Sequence, residues 1–383
     1  MNLDIYFQPI ESIDVKKNTI GSICEIYNTN FPDWESSDIV LISVDENLGL
    51  PELTNLESNH VKIRQQLYNY HLAKGNKLKM ADLGIIKKGA STSDTYAALE
   101  DITAEIQKKG KLLLILGGTQ DLTYANYLGY KKLEQTINVA CIDQKIDLEI
   151  SSESPISSNN FINHLLTFQP SFLFNFSILG CQQYYISEEQ LNLFDELYFD
   201  YLRLGELNHN IKLAEPYLRN SDIISLDMSS IRRAEFSGST DNGPNGFFAN
   251  EICQIAKYAG ISDKLSSFGA YNFSKNLEYH EVELTAQIFY FIIDGYCHRK
   301  KDYPVGTKKN HVKYAVFHEE LNHNLVFHKS PKSQRWWLEV PYPPLKDFKF
   351  ERHNLVPCNY EDYLTSQKGL IPDLWWKTYR KLN

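Results

Sequence analysis

Three short apolar runs of this 383-residue chain end in side chains that can carry charge or bind it. They read Leu112-Leu-Leu-Ile-Leu-Gly-Gly-Thr-Gln-Asp121, Asn138-Val-Ala-Cys-Ile-Asp-Gln-Lys-Ile-Asp147 and Asp222-Ile-Ile-Ser-Leu-Asp-Met-Ser-Ser230. A strand buried on both faces of a parallel sheet has this pattern. Ligand sites of open α/β sheets lie just outside the carboxyl ends of the strands. If the three are parallel neighbours, Gln120, Asp121, Asp143, Lys145, Asp147, Asp227 and Ser229 crowd one crevice. Carboxylates packed that closely need a cation between them, or one takes up a proton.

The elements that must position these residues alternate. Asp38–Asp45 is a first parallel strand, followed by a polar loop over 46–60 and a helix over 61–74 that stops at Gly75. Ser93 or Asp94 caps a helix through Lys109, and the strand to Leu116 follows at once. Further on come the strand at Val139, a serine-rich loop over 151–158, a helical stretch over 161–168 and a buried strand over 172–180. Ser187-Glu-Glu-Gln190 is a capping box that opens a long amphipathic helix. The strand at Ile223, a Gly/Asn/Pro loop over 237–246, a helix ended by Gly260, a strand over 267–273 and an apolar helix over 281–296 complete the series. This alternation predicts a three-layer α/β domain with an open, mostly parallel sheet over 1–299. Residues 1–37 are expected to pack along its outside.

Composition shifts after His298. Residues 300–383 are expected to form a C-terminal extension with a hairpin, Val312–Phe317 against Leu325–Lys329, and a proline-punctuated segment over 335–344. The pairs Trp336-Trp337 and Trp375-Trp376 either anchor a partner or seal the extension onto the main domain. A protein partner for this extension is one expectation.

Other chemistry-bearing patterns have plain readings. Gly117-Gly118 lacks the dinucleotide-binding spacing and suits a tight strand-to-helix turn. His318-Glu-Glu-Leu-Asn-His323 places its histidines five apart, not four, so it is not the zinc-protease motif. His311, His318, His323 and His328 are expected as solvated turn and edge residues. Cys141 and Cys181 lie in apolar strands as core residues, and His164 lies in an amphipathic stretch. The net charge of −9 argues against a nucleic-acid surface. Six scattered cysteines without a Cys-x-x-Cys pair suggest free thiols in a reducing compartment. No run approaches membrane-spanning length, which predicts a cytoplasmic protein without a membrane partner.

The three motifs resemble those of the ureohydrolases: arginase, agmatinase and formimidoylglutamase. Members of that family carry Gly-Gly-x-His-Asp/Ser, then Asp-x-His-x-Asp, then Ser-x-Asp-x-Asp-x-x-Asp-Pro. This chain has Gly117-Gly-Thr-Gln-Asp121, Asp143-Gln-Lys-Ile-Asp147 and Ser225-Leu-Asp-Met-Ser-Ser-Ile-Arg232. Ile63-Arg-Gln-Gln-Leu-Tyr resembles the family's early helix, and Asp121-Leu-Thr-Tyr-Ala-Asn-Tyr the formimidoylglutamase form after the first motif. Residues 247–260 resemble the helix after the family's Pro-Glu-Pro-Gly-Gly loop. The likeness covers residues 38–297.

The resemblance implies an arginase-type fold and hydrolysis of a linear amidine by two Mn²⁺ ions held by two His and four Asp. Carried over by position, Asp143, Asp147 and Asp227 survive. Gln120 and Lys145 replace the two histidines, Ser229 an aspartate, and Arg232 the next aspartate. The family's substrate-contacting glutamate falls on Gly243. The implied metal set is therefore Gln120, Asp143, Asp147 and Asp227, holding at most one ion. A charged lysine cannot bind metal, and Lys145 is expected to put its ammonium against Asp143 or Asp227 in place of the second ion. The expectation is a protein that has lost the dimanganese chemistry and serves in binding or as a scaffold, with no cofactor. The alternatives are a working hydrolase with one divalent cation (Mn²⁺, Mg²⁺ or Ca²⁺) and a sensor of an amidine or amino-acid ligand. Family analogy adds an oligomer.

Overall fold

Runs of β-branched and leucine side chains build the centre of one large sheet, and the candidate residues stand at its rim. The computed structural model describes residues 1–46, 57–73, 77–133, 135–150, 154–239, 241–273, 276–304, 310–341 and 352–382. In chain order the strands are β1 (Phe7–Gln8), β2 (Cys24–Ile26), β3 (Ile39–Ser43), β4 (Met80–Ile86) and β5 (Leu112–Leu116). They continue as β6 (Ile137–Ile142), β7 (Leu173–Cys181), β8 (Asp200–Arg203), β9 (Ile223–Asp227) and β10 (Ser267–Tyr271). The order across the sheet is β1-β4-β3-β5-β10-β9-β6-β7-β8, with β2 also paired to β4. Only β1 with β4 is antiparallel. Every residue of β3, β5, β6, β9 and β10 is buried, since helices cover both faces.

Those helices are α1 (Glu57–Tyr68), α2 (Thr92–Lys108), α3 (Leu122–Leu128), α4 (Phe161–Thr167) and α5 (Glu188–Glu196). They continue as α6 (Leu204–His209), α7 (Glu215–Asn220), α8 (Ala249–Gly260) and α9 (Tyr279–Cys297). The cap of α2 is Ser91, whose backbone N–H donates to Asp94 at 2.8 Å, rather than Ser93 or Asp94. Helix α1 ends at Tyr68, and the expected stop at Gly75 lies outside the described residues. Helix α5 has the expected capping box but spans only nine residues. Residues 1–37 do more than coat the domain: β1 and β2 extend the sheet, and Leu3, Phe7, Ile10 and Ile20 are buried. No helix of the described residues is long and apolar enough to cross a membrane.

Strand β4 has no counterpart among the expected elements, because Asp82 and Gly84 interrupt its apolar pattern. Asp82 is tolerated there by a bidentate partner. Arg64 donates from Nε to Oδ2 at 2.7 Å and from Nη2 to Oδ1 at 2.9 Å, and both side chains are fully buried. Ser43 accepts from Arg64 Nη1 at 2.6 Å, and Tyr68 donates to Asp82. A buried charge persists when it is paired and hydrogen-bonded in this way.

The chain after His298 folds into a second sheet. Its strands β11 (Val312–His318), β12 (His323–Lys329), β13 (Trp336–Glu339) and β14 (Leu355–Cys358) pair antiparallel in that order. Two helices follow, α10 (Tyr360–Gln367) and α11 (Asp373–Leu382). Arg219 of α7 fastens this sheet to the main one. It donates from Nη1 to Trp336 O at 3.0 Å and from Nη2 to Cys358 O at 3.2 Å, and stacks on the Trp337 ring. Trp336, Trp337 and Trp375 are buried, whereas Trp376 is exposed. His318 and His328 are buried rather than solvated. His318 Nε2 bonds Gly369 O at 2.8 Å and His328 Nε2 bonds Glu339 at 2.7 Å. Residues 342–344 of the proline-punctuated segment lie outside the described residues.

Candidate functional site

The first motif leaves β5 through a turn that needs glycine. Gly117 and Gly118 have φ of 91° and 78°, a region that side chains rarely adopt. A Cβ on Gly117 would stand 2.3 Å from His60 Nε2, and one on Gly118 would stand 2.2 Å from Leu122. The glycines therefore serve a tight turn, as the plain reading holds.

The three motif strands are not all neighbours. β10 lies between β5 and β9, and its end contributes Asn272 to the centre of the site. Asn272 has φ 63°, a left-handed conformation that asparagine tolerates. Its Oδ1 accepts from Gln120 N at 3.1 Å, and its Nδ2 donates to Asp227 Oδ2 at 2.6 Å. Asn272 thus ties the first motif to the third across the inserted strand. The strand over 267–273 is legible in the sequence, but its place in the sheet is not.

Asp143, Asp147 and Asp227 are buried, and one ligand oxygen from each lies within 4.8 Å of the others. Asp143 Oδ1 accepts from Lys145 N at 3.0 Å, and Asp227 Oδ1 accepts from Ser229 N at 2.7 Å. The three wall a cavity of about 180 Å³ together with Lys145, Ser158, Asn159, Ser229, Ser239, Asp241 and Asn272. Burial, with Asp147 and Asp227 alongside, pushes the Asp143 carboxyl well above the usual range. Burial and Asp227 raise Asp147 to about 7, and burial raises Asp227 to about 6 against its hydrogen bonds from Ser229 and Asn272. Three like charges in one dry place repel, so protons or a cation must neutralise them.

Lys145 does not supply that charge from within. Its ammonium pairs with Asp241 and lies 5.5 Å from the centre of the Tyr185 ring, not against Asp143 or Asp227. The reason is solvation: Lys145 and Asp241 keep 28% and 60% of their side chains exposed, where an ammonium stays hydrated. Burial opposes the Lys145 charge, but Asp241, Asp147 and Asp143 outweigh it and raise its pKa.

The remaining expected residues divide. Ser229 lines the cavity. Gln120 and Asp121 do not line it. Gln120 Nε2 donates to Ser225 at 3.3 Å, and its buried Oε1 has no partner. Asp121 turns away to accept from Ser158 at 3.1 Å and from Tyr96. Arg232 lines a separate surface cleft, stacked 4.0 Å over Phe248 and paired with Glu235 at 3.2 Å. Gly243 lies near the Tyr185 hydroxyl, which a Cβ there would meet at 3.3 Å. Asn272, Ser158, Asn159, Ser239 and Asp241 are the wall residues that the motifs leave out. They come from a strand end and two polar loops, and only Asn272 carries a signal, as the polar residue closing an apolar strand.

Known proteins share this architecture. Formimidoylglutamase of Staphylococcus epidermidis is 24% identical over 183 residues, 45% of this chain. The chain spans 58% of that relative's length. Formimidoylglutamase of Streptococcus gordonii is 21% identical over 300 residues, 71% of this chain and 89% of the relative. The crystal structure of formimidoylglutamase from Bacillus subtilis superposes with a TM-score of 0.65 at 13% identity, covering 77% of this chain and 98% of that one. Trypanosoma cruzi formiminoglutamase with Mn²⁺ gives 0.63 at 18% identity, over 70% and 95%. These structures share the fold, an arginase-type α/β sheet, and the antiparallel sheet over 312–358 is additional. The family model described as the arginase family matches residues 55–278, over half of the chain, and with the fold and the spaced motifs in place this protein belongs to the arginase family.

Proposed function

We propose that this arginase-family chain is a cation-dependent binding protein that holds one divalent ion at Asp143, Asp147 and Asp227 and does not run two-ion amidine hydrolysis. The observation that carries this reading is the buried carboxylate trio, which among the described residues accepts no hydrogen bond from an ammonium or guanidinium. Three carboxylates form a hard-oxygen set suited to Mn²⁺, Mg²⁺ or Ca²⁺. The donor set fits one ion, and Lys145 and Ser229 fall at the motif positions where the resemblance puts ligands of a second. When bound, the ion supplies Lewis acidity and cancels the carboxylate repulsion. This chain's own residues do the rest: Asn272 holds Asp227, the backbone N–H groups of Lys145 and Ser229 orient Asp143 and Asp227, and Asp241 draws Lys145 to the mouth. The ligand class that suits the remaining cavity is a small amidine or amino acid.

Calorimetric titration of metal-free protein with Mn²⁺, Mg²⁺ and Ca²⁺ tests this, together with assays of urea release from arginine or agmatine and formamide release from formimidoylglutamate. The expected result is one ion per chain, lost in Asp147→Asn, and no product. Two ions per chain, with turnover that scales with Mn²⁺, would establish a working hydrolase instead.

A further inference from the structure

The amino ends of β7 and β8 carry a second polar cavity, of about 140 Å³, on the side of the sheet away from the carboxylate trio. One wall is the main sheet with α7, bringing Asn175, Asp200 and Tyr217. The other is the C-terminal extension, bringing Asp362 of α10 with Lys377 and Lys381 of α11. Part of this charge is closed. Lys377 Nζ donates to Asp200 Oδ1 at 3.1 Å, and Asp200 Oδ2 accepts from Asn175 at 3.0 Å.

Two charges are left open. Lys381 donates to the neutral Asn175 amide oxygen, and its ammonium sits 5.9 Å and 5.3 Å from the Phe174 and Phe199 ring centres. Asp362 accepts from the Asn359 backbone N–H at 2.7 Å, as the cap of α10. Among the described residues neither has an ion-pair partner, and they do not pair with each other. His353, also on the wall, is buried and stacked on Phe174. Its Nε2 is engaged with Thr136 at 2.9 Å, while its Nδ1 has no partner among the described residues. Burial lowers Lys381 to about 8 although the nearby Asp200 carboxylate acts against it, and burial raises Asp362 against its hydrogen bond from Asn359.

The occupant that answers both charges must itself carry both. An anion would leave Asp362 uncompensated, and a cation would leave Lys381. Leu202, Leu213, Val356 and Leu374 supply apolar wall between the polar groups and suit a short carbon chain. We propose that this cavity binds a small zwitterion of the amino-acid class, its carboxylate on Lys381 and its ammonium on Asp362, at the junction of sheet and extension. This goes beyond the cation site and does not depend on it.

The test is calorimetric titration of the full chain at pH 7 with glycine, β-alanine, 4-aminobutyrate and 5-aminovalerate, a series that varies the spacing of the two charges. Acetate and methylammonium, each with one end only, are the controls. The expected result is saturable binding of one zwitterion per chain, at least about tenfold tighter than either control. Lys381→Met and Asp362→Asn should each weaken it by about tenfold or more, and Lys381→Arg should retain it. No saturation by any member of the series to about 50 mM would overturn the proposal. So would controls that bind equally well, or wild-type affinity in folded Lys381→Met. The comparison of zwitterions with half-ligands uses the unmodified chain and stands even where a variant fails to fold.

Discussion

At the amino ends of β6 and β9, Arg352 reaches from the extension to donate to Thr136 O at 2.8 Å and to pair with Asp222 at 2.5 Å. Close by, Glu215 accepts from Arg219 at 2.9 Å and lies 3.3 Å from Arg335. At the carboxyl ends of the same strands, Asp143 and Asp227 stand with Asp147, and among the described residues none of the three forms an ion pair. Both regions bury charge, yet the first alternates signs and the second repeats one. Alternating charge closes on itself and holds two parts of a chain together. Repeated charge repels, and protons or a cation must cancel it. The same contrast separates the Arg64–Asp82 pair, which belongs to the core, from Lys381 and Asp362, which do not pair.

The sharpest way to break this comparison is at the closed region. Arg219→Met removes the stack on Trp337, two bonds to strand carbonyls and one of the two guanidinium partners of Glu215. We expect a loss of about 3–5 kcal/mol in urea denaturation, because a buried pair is broken from one side. A loss below about 1 kcal/mol would mean that the other contacts of the extension, apolar and polar, hold the second sheet without Arg219.

The open region should respond to pH instead. Asp147 and Asp227 have folded pKa values raised to about 7 and about 6, above the unfolded carboxyl range. Their stability contribution is therefore fully present below the unfolded pKa and is lost as pH rises through about 6 to 7. Metal-free protein should melt on the order of 5 °C lower at pH 8 than at pH 5. Asp147→Asn should reduce that slope, and Ca²⁺ or Mg²⁺ should restore the wild-type melting temperature at pH 8. A difference between wild type and Asp147→Asn that does not change with pH would contradict the reading.

Asn272→Ala should cost about 1–3 kcal/mol, since it leaves Asp227 Oδ2 short of a buried partner and the Gln120 N–H with Ser158 alone. It should also weaken cation binding by releasing Asp227. Unchanged cation affinity in this variant would show that Asn272 does not position the trio.

The smallest effect is expected at Lys145. Its pair with Asp241 is half exposed, so Lys145→Ala should change stability by less than about 1 kcal/mol. A loss of about 3 kcal/mol or more would return the ammonium to the carboxylates.

Much of the sheet and of the carboxylate trio is legible in the amino-acid sequence. The apolar runs of β3, β5, β6, β7, β9 and β10 announce buried parallel strands, because a strand covered on both faces can hold little else. Asp143, Asp147 and Asp227 follow from their position at the ends of such runs. Strand β4 is hidden, since Asp82 reads as a break until Arg64 arrives from α1 to pair with it. The burial of His318 and His328 is hidden for the same reason: their partners, Gly369 and Glu339, are distant in sequence.

Residue type and short-range spacing are enough to set the local elements and the three motifs, with Gln120, Lys145 and Ser229 in them. Tertiary contacts were needed to put β10 between β5 and β9, to bridge that gap with Asn272 and to turn Lys145 toward Asp241. Strand order and side-chain direction are set by contacts between segments far apart in the chain, and no local pattern encodes which distant partner satisfies a buried charge.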